Sequence, residues 1–339
     1  MGAILKRSGV TAVLLLTALP AAPHHSRSMF DRERSITIQG VVARYEWANP
    51  HVYLHVEMQS DSGEPVVWAL ELGSTTEMRR RGWSGDLLMP GDRVSVQGNP
   101  AREAGRNLAL VTLVQRAGVT LLDRANSGEG FGRSEESAFK ADSLSGTWVV
   151  PWDQPYFGRF SNPSSLRLTE KGIEAVESYD DTTMNPQIRC MARSTPWFMV
   201  FPSVQRIEVG DGSVSIRSEY GPIERTVHMD ETSRDGATAS YHGHSTGRWE
   251  GEVLVVETTH FSDHRSGNAR GVPSGPQKHL VERFELSPDR ESLFYRFRLE
   301  DPEYLLEPVT GVVQSAYRPD LEFEPVACDL ENARRFVGD

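Results

Sequence analysis

Hydrophobic and polar positions alternate with period two along most of this chain, and the alternation is cut by short Gly, Pro and Asp clusters. That pattern predicts strands joined by tight turns. In the first half, strands are expected over 36–42, 51–57, 65–72, 93–97 and 108–115. Between the third and fourth, Ser74 is followed three residues later by Glu77, a capping-box spacing that predicts one short helix. Three strands, a helix and two strands is the order of a small five-stranded OB-like barrel. Residues 126–142 are polar, Gly-rich and without period, and read as the end of a linker that begins near 123.

In the second half, further strands are expected over 203–209, 214–220, 223–229, 279–286, 292–299 and 309–317. A short helix fits 169–176. The stretch 241–261 reads as a hairpin turning at Glu250-Gly251, which puts His242 opposite Thr259 and His244 opposite Glu257. So many strands read as an antiparallel barrel or a curved sandwich, and of these the barrel is expected. The fold class is all-β: an OB-like barrel over 35–122, a linker over 123–142 and a larger barrel over 143–339. Gly146-Thr147-Trp148 at the start of the larger unit resembles the opening of lipocalin-type barrels, which implies a lipocalin-like barrel over 143–339, a floor-packing Trp148 and an interior ligand site.

The first 22 residues read as a secretory signal peptide: Lys6 and Arg7, an apolar run over 10–19, then small residues to Ala22. A periplasmic or secreted protein is expected, with no stable membrane insertion after cleavage. Cleavage would leave His24 and His25 near a free amine, where copper or plain solvation are both readings. In an oxidising compartment the two cysteines, Cys190 and Cys328, are expected to form a disulfide. The formal charge of −11 gives nucleic acid or an anionic membrane no electrostatic support. Oligomeric state is not legible.

Three kinds of chemistry fit the larger unit. The spacing Gly236…His242-x-His244, with Gly267…Pro273-x-Gly275 and His279 downstream, resembles the two cupin motifs and implies a first-row transition metal held by His242, His244 and His279. Glu250 comes one residue late for that motif, and His279 is one residue too far from Gly275. A metal-free lyase or isomerase would use His244 as acid–base with Arg248, Glu257, Asp263, His279 and Glu282 as partners, although His279 and Glu282 fall on opposite faces of a regular strand. The third reading is a module binding a small, partly apolar organic molecule, with Trp148, Trp197, Trp249, Phe261 and Arg283 around it; each aromatic also reads as core. Arg248 and Glu282 also read as an internal ion pair. In the smaller unit His51, Tyr53 and His55 share one strand face, either as a metal pair or as a polar outer surface.

Two resemblances cover most of the mature chain. His24-His25-Ser26, Met29-Phe30-Asp31, Gly40-Val41-Val42, Trp47-Ala48-Asn49-Pro50-His51 and Arg81-Gly82-Trp83 resemble a domain of exported bacterial proteins of unknown function. Residues 243–251, then Leu254-Val255-Val256-Glu257-Thr258, Phe261, His279–Phe284 by position, Glu300-Asp301-Pro302 and Cys328 resemble a second such family. These resemblances imply export and two β domains, and they supply no reaction.

Overall fold

The computed structural model describes residues 29–335 apart from 61, 124–138, 152–153, 182, 222, 230–235 and 326. The signal peptide, His24, His25 and most of the linker lie outside the described residues.

The first unit is built from β1 (Ile36–Glu46), β2 (Tyr53–Gln59), β3 (Pro65–Glu71), α1 (Thr75–Arg80), β4 (Arg93–Pro100), β5 (Leu108–Arg116) and β6 (Val119–Asp123). Antiparallel pairing runs β3-β2-β1-β4-β5, and a parallel contact between β3 and β5 closes the five strands into a barrel. Ser74 caps α1 as expected, accepting a hydrogen bond from the Glu77 backbone N–H at 3.2 Å. Val42, Leu54, Leu70, Val96 and Val111 fill the barrel, with Met78 of α1 closing the core. Strand β6 extends the β5 edge and was not expected. Ala117 and Gly118 both take positive φ, so the turn into it is tight.

The second unit contains β7 (Gly146–Val149), α2 (Tyr156–Ser161), α3 (Glu170–Glu177), β8 (Val204–Val209), β9 (Ser213–Ser218), β10 (Ile223–His228), β11 (His244–Glu250) and β12 (Val253–Thr259). It continues through β13 (His264–Ala269), β14 (Val272–Ser274), β15 (His279–Leu286), β16 (Ser292–Glu300), β17 (Val309–Tyr317) and α4 (Leu330–Arg334). Nine of these strands close a barrel in the order β10-β11-β12-β15-β16-β17-β7-β8-β9. The barrel is antiparallel except between β10 and β11, where Val227 pairs with Ser245 in parallel. The chain leaves β10 and travels back to the rim before entering β11, which forces that one parallel contact.

The hairpin turns at Gly251-Glu252 rather than Glu250-Gly251, with Glu250 paired to Val253. Pairing therefore shifts by two residues, His244 to Thr259 and Thr246 to Glu257. A shift of two keeps every side chain on its face. Trp148 lies fully buried, and its indole N–H donates to the Leu144 carbonyl at 3.0 Å. The polar stretch after Phe261 folds as the β13–β14 hairpin, where Gly271 turns at positive φ.

Cys190 and Cys328 are bonded, 138 residues apart in sequence. Closing so long a loop removes unfolded-state entropy. Replacing both cysteines by serine is expected to lower unfolding free energy by about 2–5 kcal/mol. Denaturant titration of the oxidised protein against the double variant checks this; coincident curves would show that the bond adds nothing.

Candidate functional site

Two strand faces carry a charge where the pattern calls for an apolar side chain. On β10, Arg225 lies between Ile223 and Val227; on β15, Glu282 lies between Leu280 and Phe284. All four flanking residues are core, so both charges project into the barrel. They meet there as a buried, two-pronged pair. Arg225 Nη1 donates to Glu282 Oε1 at 2.9 Å, and Nη2 reaches Glu282 Oε2. Arg225 Nε donates to Ser245 Oγ at 3.0 Å and Nη2 to Thr258 Oγ1 at 2.7 Å, while the Tyr295 hydroxyl donates to Glu282 Oε1 at 2.8 Å. This network is internally satisfied, the condition under which a buried ion pair is tolerated.

The rim above it is different. The strand ends at 149, 204, 218, 223, 244, 259, 279, 300 and 309 share one end of the barrel. Residues 191–203 and the β13–β14 hairpin fold over that end. Lys278, the residue before β15, is 1 % exposed. Its Nζ donates to the carbonyls of Thr195 at 2.7 Å and Gly267 at 2.8 Å and to Ser194 Oγ at 3.3 Å, and it lies 4.3 Å from the centre of the Phe261 ring. Burial pushes its amine down to about 7, with Asp301 and Glu282 partly opposing. Arg193 is half-buried, its guanidinium among aromatic rings 4.8 Å from the centre of Trp197 and 4.4 Å from that of Phe201, and it donates to Gln187 Oε1 at 2.8 Å. Among the described residues neither cation forms an ion pair with a carboxylate.

Three buried nitrogens at this rim have no hydrogen-bond partner: Arg193 Nε, Trp197 Nε1 and His242 Nδ1. Leaving such groups unmatched costs about 1–3 kcal/mol each. They belong to one neighbourhood. Ser194 Oγ, which accepts from Lys278, donates to the Tyr241 carbonyl at 2.8 Å, and Thr195 Oγ1 donates to the His242 carbonyl at 3.5 Å. Burial, then Arg225, Lys278 and His264, push the His242 imidazole down to about 4, so it is neutral near pH 7. The rim thus brings together the Arg193 guanidinium, the Lys278 amine, unmatched polar nitrogens and aromatic walls.

The residues expected to act together are divided. Ser245 and Thr258 face inward onto Arg225, so His244, Arg248 and Glu257 on the alternate positions face outward. Val255 takes the outer position between Arg248 and Arg283. Glu250 bridges those arginines, 2.7 Å from Arg248 Nη2 and 2.9 Å from Arg283 Nη1. His279 also faces out, its Nε2 2.8 Å from Glu257 Oε1. Glu282 alone of the expected acid–base set is inside, and its partner is Arg225, not Arg248. Asp263 is exposed beyond the rim. Trp197 and Phe261 do lie at the rim, Trp148 is core, and Trp249 is 43 % exposed at the far end of β11. No group of three or more His, Cys, Asp or Glu among the described residues is placed to hold a metal. His242 lies at the rim while His244 and His279 face outward, so the cupin-like spacing does not assemble a metal cage.

Arg193, Arg225 and Lys278 were not singled out from the sequence. The charge on the apolar face of 223–227 was a usable signal for Arg225. Arg193 and Lys278 stand outside any periodic segment and carried none.

Residues 12–109 match a family of unknown function, DUF6152, which spans the first barrel up to β5 and leaves the second barrel outside the match. No curated protein matches the chain. No helix among the described residues is long and apolar enough to cross a membrane.

Two stability measurements follow from this geometry. Glu282→Gln leaves Arg225 buried without its counter-charge and is expected to cost about 3–5 kcal/mol, more than replacing both residues by apolar ones of similar size. Equal loss in the single and double variants, read by denaturant titration, would contradict this. Lys278 binds its proton less well folded than unfolded, where its ordinary value is 10.5. Its contribution to stability therefore rises with pH from about 7 towards 10.5. A Lys278→Met variant should lack that rise in a pH series of melts.

Proposed function

We propose that this is an exported two-domain β protein whose second barrel binds a small, partly apolar organic anion at its covered rim. The observation that carries the reading is the coincidence, in one neighbourhood, of the buried Lys278 and the half-buried Arg193, neither in an ion pair among the described residues, with three unmatched nitrogens. A carboxylate or similar group satisfies both needs: it neutralises Arg193 or Lys278 and accepts from Arg193 Nε and Trp197 Nε1. Trp197, Phe201 and Phe261 suit the apolar remainder of such a molecule. The lipocalin-like opening at Gly146-x-Trp148 and the family-like motif over 243–251 agree with a carrier of this kind, and the disulfide agrees with export.

A proton-transfer enzyme is the second reading, favoured by one observation. An amine pushed down to about 7 exists in both protonation states near neutrality, as a general acid–base must. On this reading Lys278, rather than the outward His244, exchanges the proton.

The test begins with mass spectrometry of small molecules extracted from protein purified under native conditions, followed by calorimetric titration with aromatic carboxylates such as benzoate and phenylacetate. Arg193→Met and Lys278→Met are each expected to weaken binding roughly 10- to 100-fold, the size of one charge-assisted hydrogen bond. Arg248→Ala, on the outer wall, should leave it unchanged. Affinity should fall as pH rises through about 7, because Lys278 loses the charge that attracts the anion. Binding that ignores both rim cations, or no bound or binding organic anion at all, would remove this reading.

A further inference from the structure

The first barrel carries a separate constellation, on the surface facing the end of the chain. After β17 the chain crosses to Cys328, is held there by Cys190, and enters α4. The Asp329 backbone N–H donates to the Asn49 carbonyl at 2.9 Å, and Asn332 Nδ2 donates to the His51 carbonyl at 3.0 Å. On its other side α4 stays with the second unit, where Arg334 Nε donates to the Ile188 carbonyl at 3.2 Å. The segment is a strap between the two barrels.

Immediately after α4, the strap places one guanidinium in a cradle. Arg335 Nη2 pairs with Glu46 Oε2; Nη1 lies 3.3 Å from His55 Nε2; the group stands 4.6 Å from the centre of the Tyr53 ring. Carboxylate, ring nitrogen and aromatic face are three separate ways of recognising a planar cation. The cradle is itself braced. The Tyr53 hydroxyl donates to Glu71 Oε2 at 3.0 Å, and Glu71 Oε1 lies 3.3 Å from His51 Nδ1. Burial, then the nearby Arg44 and Arg335, push the His55 imidazole down to about 4, so it adds no competing charge. Arg44 reaches both Glu46 and, at 3.4 Å, His55 Nε2 from the solvent side, and His55 Nε2 lies 3.1 Å from Glu46 Oε1.

We propose that Glu46, Tyr53 and His55 form a guanidinium-binding site on the first barrel, filled by the protein's own Arg335 and open to an arginine side chain of a partner polypeptide in its place. Because the strap is anchored at Cys328, Arg335 acts as a tethered ligand at high effective concentration, and an external arginine must compete with it. The overall charge of −11 favours a basic partner.

The test uses full-length, oxidised protein in which Arg44→Ala and Arg335→Ala together empty the cradle while Asp329 and Asn332 still hold the strap. Calorimetry or NMR with N-acetyl-arginine methylamide should show binding at least ten-fold tighter than to the unaltered protein. The matching lysine compound should bind at least ten-fold more weakly, and adding Glu46→Gln should abolish the gain. If that variant does not fold, Arg44→Gln with Arg335→Gln, which keeps polar side chains at both positions while removing the guanidinium charges, should show the same gain. No gain in the emptied cradle, equal affinity for the arginine and lysine compounds, or insensitivity to Glu46→Gln would each overturn the site. Methylguanidine distinguishes the source: binding as tight as the peptide-like compound would overturn the polypeptide partner in favour of a free guanidino molecule.

Discussion

The larger barrel is organised around one buried ion pair. Arg225 and Glu282 stand on strands separated in the sheet by β11 and β12, so their contact spans the lumen rather than following a ladder. Such a pair is costly to bury, and burial becomes tolerable only when every remaining donor and acceptor is matched. Here Ser245, Thr258 and Tyr295 complete the matching. The lumen is otherwise filled by Leu254, Val256, Phe284, Leu293 and similar residues. An apolar lumen alone tolerates several packings and registers. A two-pronged salt bridge with three side partners is matched only when β10, β11, β12, β15 and β16 keep this register.

That fixed interior leads to the chemistry of the rim. Burial first, and Arg225 after it, keep His242 from holding a proton, while at Lys278 burial is opposed by Asp301 and Glu282. Glu282 spends its charge on Arg225. The nearest other carboxylate, Asp301, is occupied by Asn268 Nδ2 at 2.7 Å and the Gly275 backbone N–H at 3.0 Å, contacts that hold the β13–β14 hairpin over the barrel. Asp301 acts on Lys278 through its charge but forms no ion pair with it. On the outer wall, by contrast, Arg248, Arg283, Glu250, Glu257 and His279 pair with one another across strands in the half-exposed way that contributes little to stability.

The two barrels are joined by polar contacts rather than by a shared core. Arg80 of α1 pairs with the buried Glu219 at 2.6 Å, and burial raises that carboxyl above its usual range although Arg80 opposes the shift. The strap after Cys328 adds the contacts to Asn49, His51 and Glu46. Each unit keeps its own apolar cluster. Their mutual placement thus depends on a few directed hydrogen bonds and on the disulfide that anchors the strap.

The sequence by itself determined the elements with local causes. The Ser74–Glu77 spacing produced α1, and alternation located all five strands of the first barrel and both long strands after His279 within a few residues. It also decided that His279 and Glu282 face opposite ways, because strand parity is a local property. Parity does not say which face is inside. Only closure of the sheet decided that, and it turned His244, Arg248 and Glu257 outward because Leu254, Val256 and Thr258 took the lumen. The rim was equally beyond reach. Arg193, His242 and Lys278 come from three segments without period, brought together by the return of the chain over one end of the barrel. The C-terminal strap was beyond reach as well: its five-residue helix α4 is too short to announce itself and is held by partners nearly the whole chain away, at Asn49 and His51.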